Sequence, residues 1–433
     1  MILALLIGLS FPATGTVHLP RGSTEVSSEL KLPDGAHDLT IVGAGEGTVL
    51  RASMEFHGRA ILSCHGCRNI TFRNFAIDGN RSALEKALPV PPTDKDFAGF
   101  FTDNGILVDE GDGLSVDHVD FANVAGFAIL VNHSRGVWLD HITVRDSGSH
   151  NAKGRNNTSG GILLEEGVDS FTVADSVFRN ILGNAVWTHS RYRSPRNHMG
   201  RISNNQFFDI GRDAIQVGHA ANVQVAGNRG SRIGFPLDIV DVEGRGTPVG
   251  IDTAGNVDHS LYEGNRFEEF NGKCIDLDGF HDGAVRGNTC INRGAPEDYP
   301  SGNFGIAMNN ASIEMHSQNV VIENNEISGT KFGGMFVLGE GHTIRNNRMT
   351  RLNTAHCNET HLKFGCLAIL GEPGFLESGI YLAKGGERPG PARHITIENN
   401  VISGYKMKEH CIEAAPSVKM SENTIKGNQC TDE

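Results

Sequence analysis

An asparagine recurs through the second half of this chain in one local setting, apolar-x-apolar-x-x-Asn-x-apolar. It stands in RISNNQF, VQVAGNR, SLYEGNRF, AVRGNTC, VIENNEI, TIRNNRM, ITIENNV and KMSENTI. The positions are Asn205, Asn228, Asn265, Asn288, Asn325, Asn347, Asn400 and Asn423, spaced by 23, 37, 23, 37, 22, 53 and 23 residues. The base period is 22–23 residues, and the longer intervals add 14 or 30 to it. A fixed period with insertions confined to one place marks a repeat architecture. A unit of this length is too short for a strand plus a useful helix. It carries three short alternating segments instead, each with one side inward and one outward. Stacked units then bury a continuous apolar column, and an asparagine returning at one turn forms an internal amide ladder.

Composition agrees: 54 Gly against 15 Pro suits many tight turns between short strands. A chain of 433 residues would otherwise suggest about three domains, but solenoids grow by stacking. We therefore expect one domain over 16–433 after a leader at 1–15. The leader, MILALLIGLSFPATGT, is too short to span a bilayer and resembles the apolar core of a secretory signal, without its basic start. Secretion or export to the periplasm follows. The 8 Cys fall as sequence neighbours, Cys64 with Cys67, Cys274 with Cys290, Cys357 with Cys366 and Cys411 with Cys430. An even count fits disulfides in an exported protein, although many other connectivities remain open. Cys64-His65-Gly66-Cys67 has the form of a metal half-site, with no second half of matching type. The net charge of −13 argues against nucleic acid and anionic membranes as partners. An acidic glycan stays open, because a local basic patch acts within a screening distance of about 8–10 Å.

The repeat resembles the pectin-lyase-like superfamily of right-handed parallel β-helices, from about Thr16 to Cys430. TVHLPRGSTEV and LTIVGAGEGTVLRAS look like its opening coils. The resemblance implies an all-β, single-stranded right-handed parallel β-helix of roughly a dozen coils, expected as a monomer. It also implies carbohydrate chemistry without choosing among lyases, glycoside hydrolases, epimerases, esterases and adhesins. In that superfamily the strand after the Asn turn commonly lines the substrate cleft. Insertions at 80–103, 147–159, 292–303 and 351–377 precede this strand, and others at 190–198 and 384–392 follow it, as cleft walls would.

Aligning those strands with Ile-x-Val inward leaves two outward columns. One runs Leu107, Leu130, Leu163, Trp187, Gln216, Asp252, Asp276, Ala307, Phe336, Tyr381, Glu413. The other includes Asp109, Asn132, Glu165, His189, Asp278 and Asn309. Asp252 and Asp276 fall on consecutive coils, about 4.8 Å apart, with Asp278 about 6–7 Å further along the same face. Like charges stacked across a ladder repel. They persist when a cation binds or when one carboxyl keeps its proton. A protonated acid beside an ionised carboxylate is what glycosidic hydrolysis uses.

Asp252, Asp276 and Asp278 are thus the expected catalytic group, with His219 and His281 near the strand ends to tune them. Gln216, His189 and Asn309 flank this group as substrate contacts. Trp187, Phe336 and Tyr381 are expected to stack on sugar rings. Arg191, Arg193 and Arg196, in RYRSPRNH, are expected to grip a uronate carboxylate. The hydrolytic reading needs no cofactor. The alternative is a Ca²⁺-dependent lyase or epimerase with the three aspartates as ligands and, for the lyase, Arg212 or Arg245 as base. A third reading is a non-catalytic polysaccharide-binding or adhesin solenoid. The run of motifs of a polygalacturonase and the Asp-Pro-His-Glu of alginate epimerases are both absent.

Overall fold

The computed structural model describes residues 10–433 apart from 93, 242–246, 311–314, 359–362, 368–370 and 386–387. Most of the expected leader lies outside them, and the first strand is Gly15–His18. Among the described residues the chain is all-β, with a single four-residue α-helix at Arg81–Leu84. It is a right-handed parallel β-helix. Packing divides it into two units, one running to Arg212 with Phe235–Gly244, the other formed by Asp213–Gly234 and Arg245–Glu433.

In the first unit the period-two alternation sets parallel registers Ile106↔Ile129, Ile129↔Ile162 and Ile162↔Val186. In the second the inward column is Ile215, Ile251, Ile275, Ile306, Met335, Ile380 and Ile412. Ile251, Ile275 and Ile380 are fully buried, each contributing about 1.5–3 kcal/mol of apolar burial. A one-residue slip would turn every one of these side chains outward, so the register is strongly specified.

The amide ladder is present in the second unit. Asn228, Asn265, Asn288, Asn325 and Asn347 each donate Nδ2–H to Oδ1 of the next asparagine at 2.9–3.0 Å. That same Oδ1 also accepts the backbone N–H of the asparagine before it, as in Asn265 to Asn288 at 3.0 Å. The residue preceding each rung lies in the left-handed region, for example Gly264 at φ 61° and Asn324 at 57°. Gly, and after it Asn and Asp, adopt that backbone most cheaply. The last rung differs from expectation. Asn400 donates to Asn428 at 2.9 Å, behind Gly427 at φ 66°. Asn423 instead accepts the Ile395 N–H in another turn.

All four neighbouring cysteine pairs are joined as disulfides, and no cysteine is free. The half-site reading of Cys64-His65-Gly66-Cys67 is therefore replaced by a cross-link. Disulfides persist in oxidising compartments outside the cytosol. No helix among the described residues is long and apolar enough to cross a membrane.

Candidate functional site

The second unit brings five of the expected residues together. Gln216, Asp252 and Asp276 are register partners on successive strands, Ile215–Ala226, Val249–Asp258 and Lys273–Asp278. Gln216 Nε2 donates to Asp252 Oδ2 at 2.7 Å. Asp278 points to the same face two residues after Asp276, and Asn309 is its register partner one coil on.

Two residues that alternation concealed complete the group. Lys273 Nζ donates to Asp276 Oδ2 in a short ion pair, with the side chains 20% and 11% exposed. Lys273 has the inward parity of Ile275 and Leu277, but it starts its strand and turns out. Asp213 is buried beside the cluster, its Oδ1 accepting the Val249 N–H at 3.0 Å.

Four carboxylates around one ammonium make the site proton-retaining. Burial, then the Asp213 and Asp276 carboxylates, push Asp252 well above the usual carboxylate range. Burial, then Asp276, push Asp278 up to about 6, with Lys273 and Arg388 opposing. Burial works against the Lys273 ammonium, but Asp276, Asp252 and Asp278 outweigh it, and its pKa lies above the ordinary value. Asp276 Oδ1 and Asp278 Oδ1 are buried with no hydrogen-bond partner among the described residues. Such acceptors are filled by water or by a ligand's hydroxyl groups. The cation held against Asp276 is Lys273. Asp252, Asp276 and Asp278 are not among the described groups whose ligand atoms all lie within 4.8 Å of one another.

The column continues past Ala307 to Phe336, Tyr381 and Glu413. Phe336 stacks on Tyr381 with ring centroids 6.1 Å apart, and Phe375 from the 351–377 insertion meets Phe336 edge-on at 5.8 Å. Tyr381 is fully buried, so Phe336, partly exposed, is the surface this stack offers. Arg388, in the 384–392 insertion, donates to the Asn310 carbonyl at 3.1 Å, which puts an exposed arginine near Asp278.

The other expected residues are placed as follows. His281 bonds Asp282 Oδ2 at 2.8 Å and Asn256 Oδ1 at 2.7 Å, and neither partner is one of the three aspartates. Its strand, Phe280–His281, pairs with Val257 and Asp258, beyond the level of Asp252. His219 is buried at φ 46°, at the register shift between Gly218 and Ala220.

In the first unit Trp187 is no open platform. It is 7% exposed and packs with Phe97, 5.0 Å away, in a cluster that includes Leu107, Leu130 and Leu163. The 80–103 insertion folds over this column. Fully buried Glu165 pins it, accepting the Phe97 N–H at 2.7 Å and the Ala98 N–H at 2.8 Å. His189 serves the same anchor, bonding Glu165 through Nδ1 at 2.8 Å and stacking on Phe97 at 4.3 Å.

Arg191 is committed to buried Glu166 through its backbone N–H at 2.8 Å and its guanidinium at 3.1 Å. Burial pushes Glu166 up, but hydrogen bonds from Ser194 and Arg191 hold it below its ordinary value. Arg193 is exposed and Arg196 partly so. Arg212 belongs to the first unit, and Arg245 lies outside the described residues.

No curated protein sequence matches the chain. Solved structures similar in fold include the catalytic domain of a GH87 α-1,3-glucanase in complex with tetrasaccharides, at TM-score 0.52 and 13% identity. That match covers 95% of this chain and 64% of the glucanase domain. PfbA, a surface adhesin of Streptococcus pneumoniae, matches at TM-score 0.57 and 15% identity over 78% of this chain and 82% of its own. A DFA-IIIase from Arthrobacter chlorophenolicus A6 in complex with DFA-III matches at 0.50 and 12%, over 96% and 89%. The family described as right handed beta helix region matches residues 59–235 and 160–349, more than half of the sequence. The chain belongs to this right-handed β-helix family.

Proposed function

We propose that this chain is a secreted or periplasmic carbohydrate-active enzyme that hydrolyses glycosidic bonds at Asp252, Asp276 and Asp278. The observation that carries the reading is the split character of the cluster. Asp276 is ion-paired to Lys273, while Asp278 and Asp252 are pushed toward the protonated form. A carboxyl that keeps its proton beside one paired to a cation offers an acid and a base. Asp278, at about 6, suits the donor to the leaving oxygen. Asp276 suits the partner that activates water or attacks, with Lys273 fixing its orientation. Gln216 positions Asp252, and Phe336 offers an apolar face for a sugar ring.

β-Elimination fits less well. It needs a base, and Lys273 holds its proton more tightly than an ordinary lysine. The Lys273 ammonium also supplies the positive charge that the calcium reading would require. The saccharide-bound glucanase and DFA-IIIase of similar fold accord with a glycan substrate. The adhesin of similar fold keeps a binding role as the second reading. A flat adhesive face has no reason to keep four buried or half-buried, mutually repelling carboxylates around one lysine. A uronate in the substrate would now be met by Arg388 rather than by Arg191.

The test is a panel of neutral and acidic glycans. New reducing ends without the ultraviolet absorbance of an unsaturated uronate are expected, and are lost in Asp276→Asn. Absorbance rising together with reducing ends would mean elimination. Binding without cleavage across the panel would favour the adhesive reading.

A further inference from the structure

Away from that site, the first unit carries a histidine pair that the proposed chemistry does not use. Strands Asp112–Ala122 and Arg135–Asp140 pair in parallel with Asp117 opposite Asp140. His118 and His141 follow those aspartates directly, both in the left-handed region, at φ 51° and 50°. Equivalent turns on consecutive coils therefore present equivalent rings. The two imidazoles lie parallel within 6°, with centroids 4.7 Å apart. Their side chains are 57% and 50% exposed, so neither ring is there to fill a core.

Each imidazole is already oriented. His118 Nδ1 meets Asp117 Oδ1 at 2.7 Å, and His141 Nδ1 meets Asp140 Oδ2 at 3.0 Å. An Nδ1–H given to a carboxylate leaves Nε2 as the lone-pair atom, which is how carboxylates orient metal-binding histidines. Stacking on consecutive coils thus sets two imidazoles side by side, each with Nδ1 held by its own aspartate. Asp117, His118 and His141 also present ligand atoms that all lie within 4.8 Å of one another. One coil further, Ala174 is the register partner of Asp140, so Asp175 takes the turn position that His141 holds, at φ 48°. Asp175 lines the same groove as both histidines, together with Glu46 and Asp120, and no lysine or arginine lines it.

We propose that this turn column is a binding site for a divalent transition-metal ion of the Zn²⁺ type. Nε2 of His118 and Nε2 of His141 are the nitrogen ligands. Asp175 on the next coil, which lines the same groove, is the carboxylate that closes on the ion, and Asp117 and Asp140 hold the rings. Tetrahedral coordination with Zn–N bonds of about 2.0–2.1 Å requires both rings to swing out of the parallel stack so that their Nε2 lone pairs converge on the ion, a rotation open to half-exposed side chains. Two imidazoles favour zinc over calcium, which takes oxygen ligands. The ion would clamp three successive turns of the first unit.

The test is calorimetric titration of the full chain with Zn²⁺ after chelator treatment, alongside melting curves with and without the metal. We expect saturable binding of one equivalent and a raised melting temperature. Affinity should fall about tenfold or more in Asp117→Asn or Asp140→Asn, and the site should be lost in His118→Ala/His141→Ala. The exposure of both rings means that the double variant should melt like the wild type without metal, which checks its fold. Absence of saturable Zn²⁺ binding, or the same binding in the double variant, overturns the proposal. Equal binding of Ca²⁺ at the site would overturn the assignment of the histidines as ligands.

Discussion

Replacing Asp278 with Asn removes a carboxyl whose pKa is raised from 3.8 to about 6, first by burial and then by Asp276. The shift is about two units, and each unit is worth about 1.36 kcal/mol. Fully expressed, that is about 3 kcal/mol, less whatever the remaining solvent contact screens away. The sign follows from proton linkage. Below about pH 4 the folded and unfolded chains both hold this proton, and the raised pKa has no effect on stability. As the pH climbs through about 6, the folded chain must release a proton that it binds more tightly than the unfolded chain does, and stability falls. Asp278→Asn should therefore be close to neutral at about pH 4 and stabilising by about 1–3 kcal/mol at about pH 8. Paired urea titrations of variant and wild type, followed by far-ultraviolet circular dichroism at both pH values, read the difference. If Asp278 is the proton donor, kcat should also drop by about 10²–10⁴-fold. A stability gain that is the same at both pH values, or absent at the higher one, would falsify the assignment of Asp278 as a proton-bearing carboxyl.

The Lys273 ammonium lowers both Asp252 and Asp278, so Lys273→Met should move the pH dependence of activity upward; an unchanged profile would remove Lys273 from the electrostatics of the site. Asn325→Ala leaves the Asn288 N–H and Nδ2–H without their acceptor in a buried place, at about 1–3 kcal/mol per stranded group. Asn423→Ala, off the ladder, should cost clearly less in the same denaturation assay, and equal losses would contradict the corrected last rung.

The frame was legible because it rests on periodicity. The apolar phase of each Ile-x-Val strand predicted the observed columns from Ile215 to Ile412, and with them the adjacency of Asp252 and Asp276. Failures came where alternation carries no information. Lys273 sits on the inward parity of its strand, yet strand ends are free to turn a long side chain out. Trp187 was rightly placed on the outer face of its strand. Its burial depends on where a distant insertion lands, which is set by Glu165 gripping the backbone at Phe97 and Ala98. Arg191 looked like a solvent-facing cation because nothing in its own loop reveals Glu166 as its partner. The misplaced rung had a readable signal: Gly227, Gly264, Gly287 and Gly427 each precede a true rung with positive φ, whereas Asn423 follows a glutamate.

The amide ladder also acts as a ruler that ignores chain length. Asn325 reaches Asn347 across 22 residues and Asn347 reaches Asn400 across 53, yet both contacts measure 2.9 Å. The extra excursion in the second interval costs only about 0.8 kcal/mol in closure entropy, from (3/2)RT ln(53/22). The Cys357–Cys366 cross-link inside that excursion recovers some of it by restraining the unfolded segment. Axial position is thus metered by rungs and not by residues. A lineage carrying this frame can lengthen, trim or exchange the loops beside Phe336 and Arg388 while the aspartates stay in step. What those loops contact can then drift at a rate that the scaffold does not limit.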